Sequence, residues 1–523
     1  MRGALLVAGT HSDAGKSVVV AGICRWLARE GVKVAPFKAQ NMALNSFVTK
    51  EGAEIGRAQA AQAAAACVEP EVAMNPVLLK PSAEKSTQVI VRGKPWATAS
   101  AASYQGMKGD LLPIVLESLD DLRRRFEVVI CEGAGSPAEI NLREGDLANM
   151  GLARAAALPV IVVGDIDRGG LFASLYGTLA LLSREDQALI GGFVVNKFRG
   201  DAAVLAPGLE KLSELTGRPF FGTLPWVWGL GLDGEDSLAL DTPREVSTPL
   251  GRDILRVAVV RLSRISNFTD LDALSHEPGV SVRFTESYEE LLSADLAVLP
   301  GTKATVDDLK MLRSRDLDRA FSERARRGLP SFGVCGGYQI FGERIRDGVE
   351  SGEGEVPGLG LLPVETVFGE EKILARPEGR ATGFGDAEVS GYEIHHGRVH
   401  RSGGEPLFAM NGSAEGDTEG CRVGMTLGTS WHGVFESDGF RRAFLLWVAR
   451  VSGLDWKPGE ESFATRREAQ FERLGALIAE NVDREALLRL VEDGPPPGLP
   501  SVPPKTNDVR RKTGALVGQG SEG

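Results

Sequence analysis

The chain has 523 residues, 43% of them hydrophobic and 25% charged, a globular composition over more length than one compact core organises, so two or more domains are expected. Its formal net charge of -12 argues against a nucleic-acid partner, which asks for a basic face. The five cysteines (24, 67, 131, 335 and 421) form no C-x-x-C pair, and there is neither a leader-like start nor a run of about 18 apolar residues. A reducing cytoplasm is expected, with no membrane span, disulfide framework or structural zinc.

Residues 3 to 8 (GALLVA) read as a buried strand and residues 16 to 30 as a helix, with Gly31 placed to end it in a left-handed conformation. A strand at VKVAPF follows. The Ala-rich piece at 57 to 67 reads as a packed helix, because alanine has the best helix propensity and no side-chain entropy to lose. Further apolar runs at 126 to 131, 158 to 165 and 190 to 196 alternate with helical periodicity, which implies a parallel sheet covered on both faces. The acidic, loop-like stretch from 229 to 253 marks a domain boundary. Beyond it ILRVAVV, VSVRFT, DLAVLPG and LPSFGVCGG open a second α/β series. After residue 455 the pattern weakens to one or two helices, clearest in SFATRREAQFERLGALIAE, and the Pro- and Gly-rich end is expected to be disordered. The fold class expected is thus α/β, in two domains: 1–232, a linker at 233–253, 254–455, then a helical extension at 456–493 and a tail at 494–523.

Between the first strand and helix lies VAGTHSDAGKS. A strand, a Gly-rich turn and Lys-Ser opening a helix point backbone N–H groups and the helix N-terminus at phosphate oxygens. The ATP site is therefore assigned to Gly9, Thr10, His11, Ser12, Asp13, Ala14, Gly15, Lys16 and Ser17, although Thr10 stands where the usual spacing has a glycine. Lys16 would reach the terminal phosphates, and the Ser17 hydroxyl would ligate Mg2+. Glu132, just beyond the strand FEVVIC, is the expected second metal ligand, since such sheets bind ligands at their carboxyl ends. His11 stands five positions before Lys16, where partition-type switch ATPases carry a lysine.

The second chemical centre is PSFGVCGGYQIFGE. Cys335 sits where a strand ends and Gly-Gly leads into a helix, an elbow whose N–H donors lower a thiol pKa and bind an oxyanion. A thiol nucleophile needs a base. Of the six histidines, His432 in GTSWHGVFES is assigned that role, with His395 and His396 as the fallback.

GTHSDAGKS together with CEGAGS resembles the dethiobiotin-synthetase group of P-loop enzymes, which activate a carboxylate or carbamate with ATP. KAQNMALNS (38 to 46) lacks the aspartate which that group often carries, so no second acidic metal ligand is found there. The Cys335 and His432 pairing resembles class I glutamine amidotransferases. That likeness assigns Gly301, Gly336, Gly337 and Gln339 to an oxyanion and glutamine pocket. The glutamate those enzymes often carry two residues after the histidine is replaced by Val434, and the role is not transferred to Glu436.

The segments FKAQNMALNS, MNPVLLKPSAEKSTQVIVRGKP, VGDIDRGGLFAS, RISNFTDLDAL, LPGTKATVDDL and GYEIHHGRV together resemble the cobyric acid synthase family from about residue 3 to 450. The resemblance implies amidation of the b, d, e and g carboxylates of adenosylcobyrinic acid a,c-diamide, with ATP and L-glutamine as co-substrates and no nucleic acid or membrane partner. Association with further copies of the chain stays open. Lys38, Gln40, Asn41, Asn75 and Lys80 are the residues assigned to the polyanionic corrinoid, and Asp165, Asp167 and Arg168, beyond another strand end, to a phosphate or substrate role. The competing readings are the sibling a,c-diamide synthase, another glutamine-dependent amidoligase and a P-loop switch ATPase.

Overall fold

Six parallel strands form the first sheet, in the order Phe220–Pro225, Ile190–Phe198, Val160–Asp165, Gly3–Gly9, Val128–Glu132, Val34–Phe37. The computed structural model describes residues 2–83, 86–230, 246–412 and 417–502. The N-terminal strand is central: the chain first builds the sheet to one side of it and later to the other. Its carboxyl end is therefore the place where a parallel sheet opens a crevice for ligands. Leu5, Leu6, Val7, Val128, Ile130, Ile161 and Val163 are fully buried, as strands covered on both faces require.

The second sheet runs Val280–Thr285, Leu255–Val260, Leu296–Leu299, Ser331–Val334, Thr426–Thr429, Cys421–Val423, parallel except for its last edge. The two expected α/β domains are thus present. Residues 231–245, most of the stretch taken as the boundary, lie outside the described residues.

Two features were not anticipated. A small sheet of Gln40–Met42, Val77–Ala83, Ser86–Val91 and Lys94–Ala99 is inserted into the first domain, and antiparallel strands such as Val364–Ala375 and Glu393–Arg401 into the second. The C-terminal helices also return to the first domain. Phe463–Asn481 lies on Lys16–Arg29, and Leu477, Ile478, Leu487, Leu490 and Val491 join the core beneath the first sheet. Glycines permit the contact: a Cβ on Gly22 would stand 2.6 Å from Ile478 Cγ1, and one on Gly475 2.9 Å from Arg25 Cγ. Within the stretch assigned by composition to a disordered tail, Val502 is buried and exchanges two hydrogen bonds with Gln187. The rest of that tail, 503–523, lies outside the described residues.

A hairpin of the first domain meets the second. Ser46–Val48 and Glu54–Gly56 pair and dock on the second domain, where Ser46 N–H donates to Asn267 Oδ1 at 3.1 Å and Phe268 N–H to Asn45 Oδ1 at 3.2 Å. Phe47 packs on Tyr392 with ring centroids 5.6 Å apart, and Arg57 pairs with Glu436.

Candidate functional site

At the end of the first strand the chain turns through Thr10–Gly15 before the helix Lys16–Arg29 begins. Gly15 takes φ +97°, and a Cβ there would fall 1.9 Å from Asn196 Nδ2, so only glycine fits. Asn196 donates to the Ala14 carbonyl at 3.0 Å and Lys197 to that of Asp13 at 2.8 Å, so the Ile190–Phe198 strand braces the loop. The Lys16 ammonium reaches back to the carbonyls of His11 (3.0 Å) and Gly135 (3.1 Å), joining this loop to the one after Val128–Glu132.

Ser17 Oγ donates to Glu132 Oε1 at 2.9 Å, and Lys38 Nζ donates to the same oxygen at 2.9 Å. Gln62 Nε2 bonds the other oxygen. Burial pushes the Glu132 carboxyl up, but the Lys38 ammonium and these hydrogen bonds outweigh it and hold it below the usual carboxylate range. Thr10 Oγ1 and Gln62 Oε1 are buried without a hydrogen-bond partner. Buried polar atoms without partners at a phosphate loop are what an absent polar ligand leaves behind. A hydroxyl and a carboxylate in contact are also a donor set that suits magnesium, which completes its shell with phosphate oxygens and water. Among the described residues there is no group of three or more His, Cys, Asp or Glu side chains able to hold a metal alone.

The remaining first-domain candidates divide. Asp165 bonds Lys197 at 2.7 Å and accepts from the Asp167 N–H, Asp167 pairs with Arg199 at 3.2 Å, and Arg168 lies 3.5 Å from Asp13, so that loop stands beside the phosphate loop. Gln40 accepts from Tyr104 Oη at 2.6 Å and Asn41 donates to Gln59 at 2.8 Å. Asn75 is buried, and its amide bonds the backbone of Gly56, Lys38 and Val77, so it braces the fold rather than facing a ligand. Lys80 is far from the assigned role too: buried between Ser46 and Glu54, it lines the cavity of the second centre.

That centre begins at Cys335, which joins the strand Ser331–Val334 to the helix Gly336–Phe341 with φ +48° and ψ -107°. Such a conformation on a non-glycine residue costs of order 1–3 kcal/mol and is held by its surroundings. Close approach requires the glycines around it. A Cβ on Gly337 would meet the Leu299 carbonyl at 2.0 Å, one on Gly336 the Thr302 Cγ2 at 2.7 Å, and one on Gly301 the His432 ring at 2.9 Å. Gln339 accepts from Thr305 Oγ1 at 3.2 Å and lines the same cavity as Cys335 and His432.

His432 is buried, stacks on Tyr392 with centroids 5.3 Å apart, and holds Asp270 Oδ2 with Nδ1 at 2.6 Å. Asp270 also accepts from the Gly433 N–H at 2.9 Å. Burial lowers the imidazole pKa, but Asp270 and Cys335 overcome it and push it up to about 10. Burial raises the Cys335 thiol, and the facing His432 cation outweighs that and holds it below its ordinary value. The pair therefore favours thiolate and imidazolium. His395 and His396 line the same cavity without a carboxylate bonded in this way; His395 Nε2 stands 3.5 Å from Glu393, and His396 Nδ1 meets the Gly369 carbonyl at 3.1 Å. Glu436 is turned away, to Arg57.

Sequence reading missed Asp270 and Gln62. Asp270 lies in RISNFTDLDAL, upstream of the nucleophile, whereas the search for a third partner looked downstream of the histidine. For Gln62 a signal existed: Gln59 and Gln62 share one face of an otherwise Ala-rich buried helix, where amides without a task would destabilise.

Residues 5–234 match the family profile described as the CobQ/CobB/MinD/ParA nucleotide binding domain, and residues 256–440 match the CobB/CobQ-like glutamine amidotransferase domain. A nucleotide-binding domain fused to a glutaminase-type domain defines a glutamine-dependent amidoligase. The chain is 58% identical over 511 residues to a cobyric acid synthase of Streptomyces avermitilis, covering 96% of this chain and 99% of that one. It is 57% identical to one of Frankia casuarinae (96% and 99% covered) and 54% identical to one of Mycolicibacterium paratuberculosis (95% and 98%). The chain belongs to the cobyric acid synthase family, whose amidation serves cobalamin biosynthesis; it uses ATP, with glutamine and a corrinoid as substrates. Among the described residues no helix is long and apolar enough to cross a membrane.

Proposed function

We propose that the chain converts adenosylcobyrinic acid a,c-diamide to adenosylcobyric acid by amidating the b, d, e and g carboxylates in turn. A carboxylate resists ammonia because attack would have to expel oxide. Transfer of the ATP terminal phosphate to it gives an acyl phosphate with a good leaving group, and ammonia then displaces phosphate. Lys16 and the N–H groups of the loop hold the phosphates, and magnesium, held by Ser17 and Glu132, would neutralise charge developing on the transferred group. Lys38 is placed beside Glu132 to do part of the same work.

At the second centre Cys335 Sγ attacks the glutamine side-chain amide, and the N–H groups of the elbow face the oxyanion. His432 carries the proton that the departing ammonia takes, and water releases glutamate from the thioester. Asp270 holds the imidazole ring in place. Walls at the domain interface would keep the acyl phosphate from water.

The observation that carries this reading is the shared wall: Lys80 of the first domain lines the cavity that holds Cys335 and His432. The test is mass spectrometry of the purified protein supplied with ATP, magnesium, glutamine and the corrinoid diamide. Four successive gains of one amide each are expected, and no stepwise gain would sink the assignment.

A further inference from the structure

The cavity at Cys335 is lined by side chains of both domains, several of them charged. The charged residues of that wall fall into two sets. Lys80 and Lys372 are 2% and 4% exposed and pair with the fully buried Glu54 at the domain interface. Lys303 and Glu350, 10% and 17% exposed, pair with each other on the side of the cavity nearer solvent. The mouth is therefore on the Lys303–Glu350 side.

Each member of that pair comes from an element suited to a different part. Lys303 follows the Gly301–Thr302 turn, which packs on the Cys335 elbow, and its N–H is fixed to the Arg264 carbonyl at 3.0 Å, so its root is rigid. Glu350 comes from the exposed turn after Arg344–Asp347. Buried Asp347 anchors the base of that turn by accepting from the N–H groups of Val349, Glu350 and Ser351 at 2.7–3.0 Å. Gly348 has open space around it while Asp347 holds the Glu350 backbone, so a change of partner falls to the Glu350 side chain. A second pair, Lys310–Glu353, ties the same turn to the helix Thr305–Ser314. Inside the cavity, Nδ1 of buried His395 lacks a hydrogen-bond partner, a further sign that a polar guest completes the site.

We propose that the Lys303–Glu350 ion pair is a placeholder for the charged end of glutamine. When the amino acid enters, its α-carboxylate takes Lys303, its α-ammonium takes Glu350, and the side-chain amide is left pointing to Cys335. The exchange replaces one ion pair by two and leaves no charge unpaired, whereas opening the mouth without a zwitterion would strand two half-buried charges. The pair thus selects a free α-amino acid and keeps water out when none is bound. This goes with the glutaminase role proposed above and rests on it.

The test measures glutamate release by the full chain, supplied with ATP, magnesium and the corrinoid diamide, in wild type, Glu350→Gln and Lys303→Met. Two competing ligands are included: glutaramate, which lacks the α-ammonium, and 4-aminobutanamide, which lacks the α-carboxylate. Glu350→Gln is expected to raise the KM for glutamine about tenfold or more, the usual loss on removing a charged hydrogen-bond partner, and to leave competition by glutaramate as strong or stronger, since Lys303 no longer has a resident partner to give up. Lys303→Met is expected to do the reverse, weakening glutamine and glutaramate but not 4-aminobutanamide. An unchanged KM in both variants overturns the proposal, as does equal weakening of all three ligands, the mark of a merely structural role. Analogues that compete with wild type as well as glutamine binds also overturn it. If wild type itself released no glutamate, the glutaminase reading would fail instead.

Discussion

His432 presents Nδ1 to the Asp270 carboxylate at 2.6 Å, and Asp270 stands in the segment Asn267–Asp270 that the first domain grips through Asn45 and Ser46. The carboxylate bonded to His432 thus sits on the surface where the two domains meet. Asp270→Asn removes the charge that raises the imidazole pKa, and with it the cation that stabilises the Cys335 thiolate. Glutamine-dependent kcat should fall on the order of a thousandfold or more, as for loss of the acid in a catalytic triad. The inflection for alkylation of Cys335 against pH should also move upward, a shift that a packing defect alone would not produce.

Cys335→Ala should abolish the use of glutamine and retain amidation driven by free ammonium, measured as amide gained on the corrinoid. Loss of both activities would show that the elbow, with its strained φ of +48°, also supports the interface.

Glu132→Gln should stop amidation with either nitrogen source, because its carboxylate is shared by Ser17 and Lys38 in the phosphate site. Nucleotide binding by calorimetry separates the two explanations. Magnesium-dependent affinity should drop sharply, while magnesium-free binding changes little.

Glu54→Gln leaves two buried ammonium groups, Lys80 and Lys372, facing a neutral amide. Breaking a buried pair in this way costs about 3–5 kcal/mol, so the thermal midpoint should fall by several degrees. Burial raises the Glu54 carboxyl, but Lys372 and Lys80 outweigh it and hold the pKa far below the ordinary glutamate value. Its contribution is therefore complete above the unfolded-state value and is lost as pH falls toward the folded one. Wild type should lose stability faster than Glu54→Gln as the solution is acidified below pH 4.5, the carboxyl's ordinary value.

Gly22→Ala places a methyl 2.6 Å from Ile478 Cγ1. Overpacking of this kind costs about 1–3 kcal/mol, and it should lift the Phe463–Asn481 helix from Lys16–Arg29. Faster proteolysis within that helix is the expected readout.

Much of this was legible because the chemistry is local. Strand, loop and helix around Lys16 follow one another in the chain, and Cys335 is flanked by its own glycines, so periodicity and spacing were enough. Contacts made only by folding were not. Asp270 meets His432 across a wide gap in sequence, and Lys80, assigned from the sequence to the corrinoid, is carried by a small inserted sheet into the wall of the other domain's cavity. The helix Phe463–Asn481 was visible from its periodicity, but nothing in that pattern says which domain its apolar face covers.

That helix alters how the molecule can be made. The first domain is interrupted by the whole of the second, and its core is closed by Ile478, Leu487 and Leu490, which leave the ribosome after the glutaminase half. Domains usually fold as they emerge, but these side chains can reach the first domain's core only once the chain has nearly ended. A polypeptide cut short after its second domain would therefore lack the lid of its first.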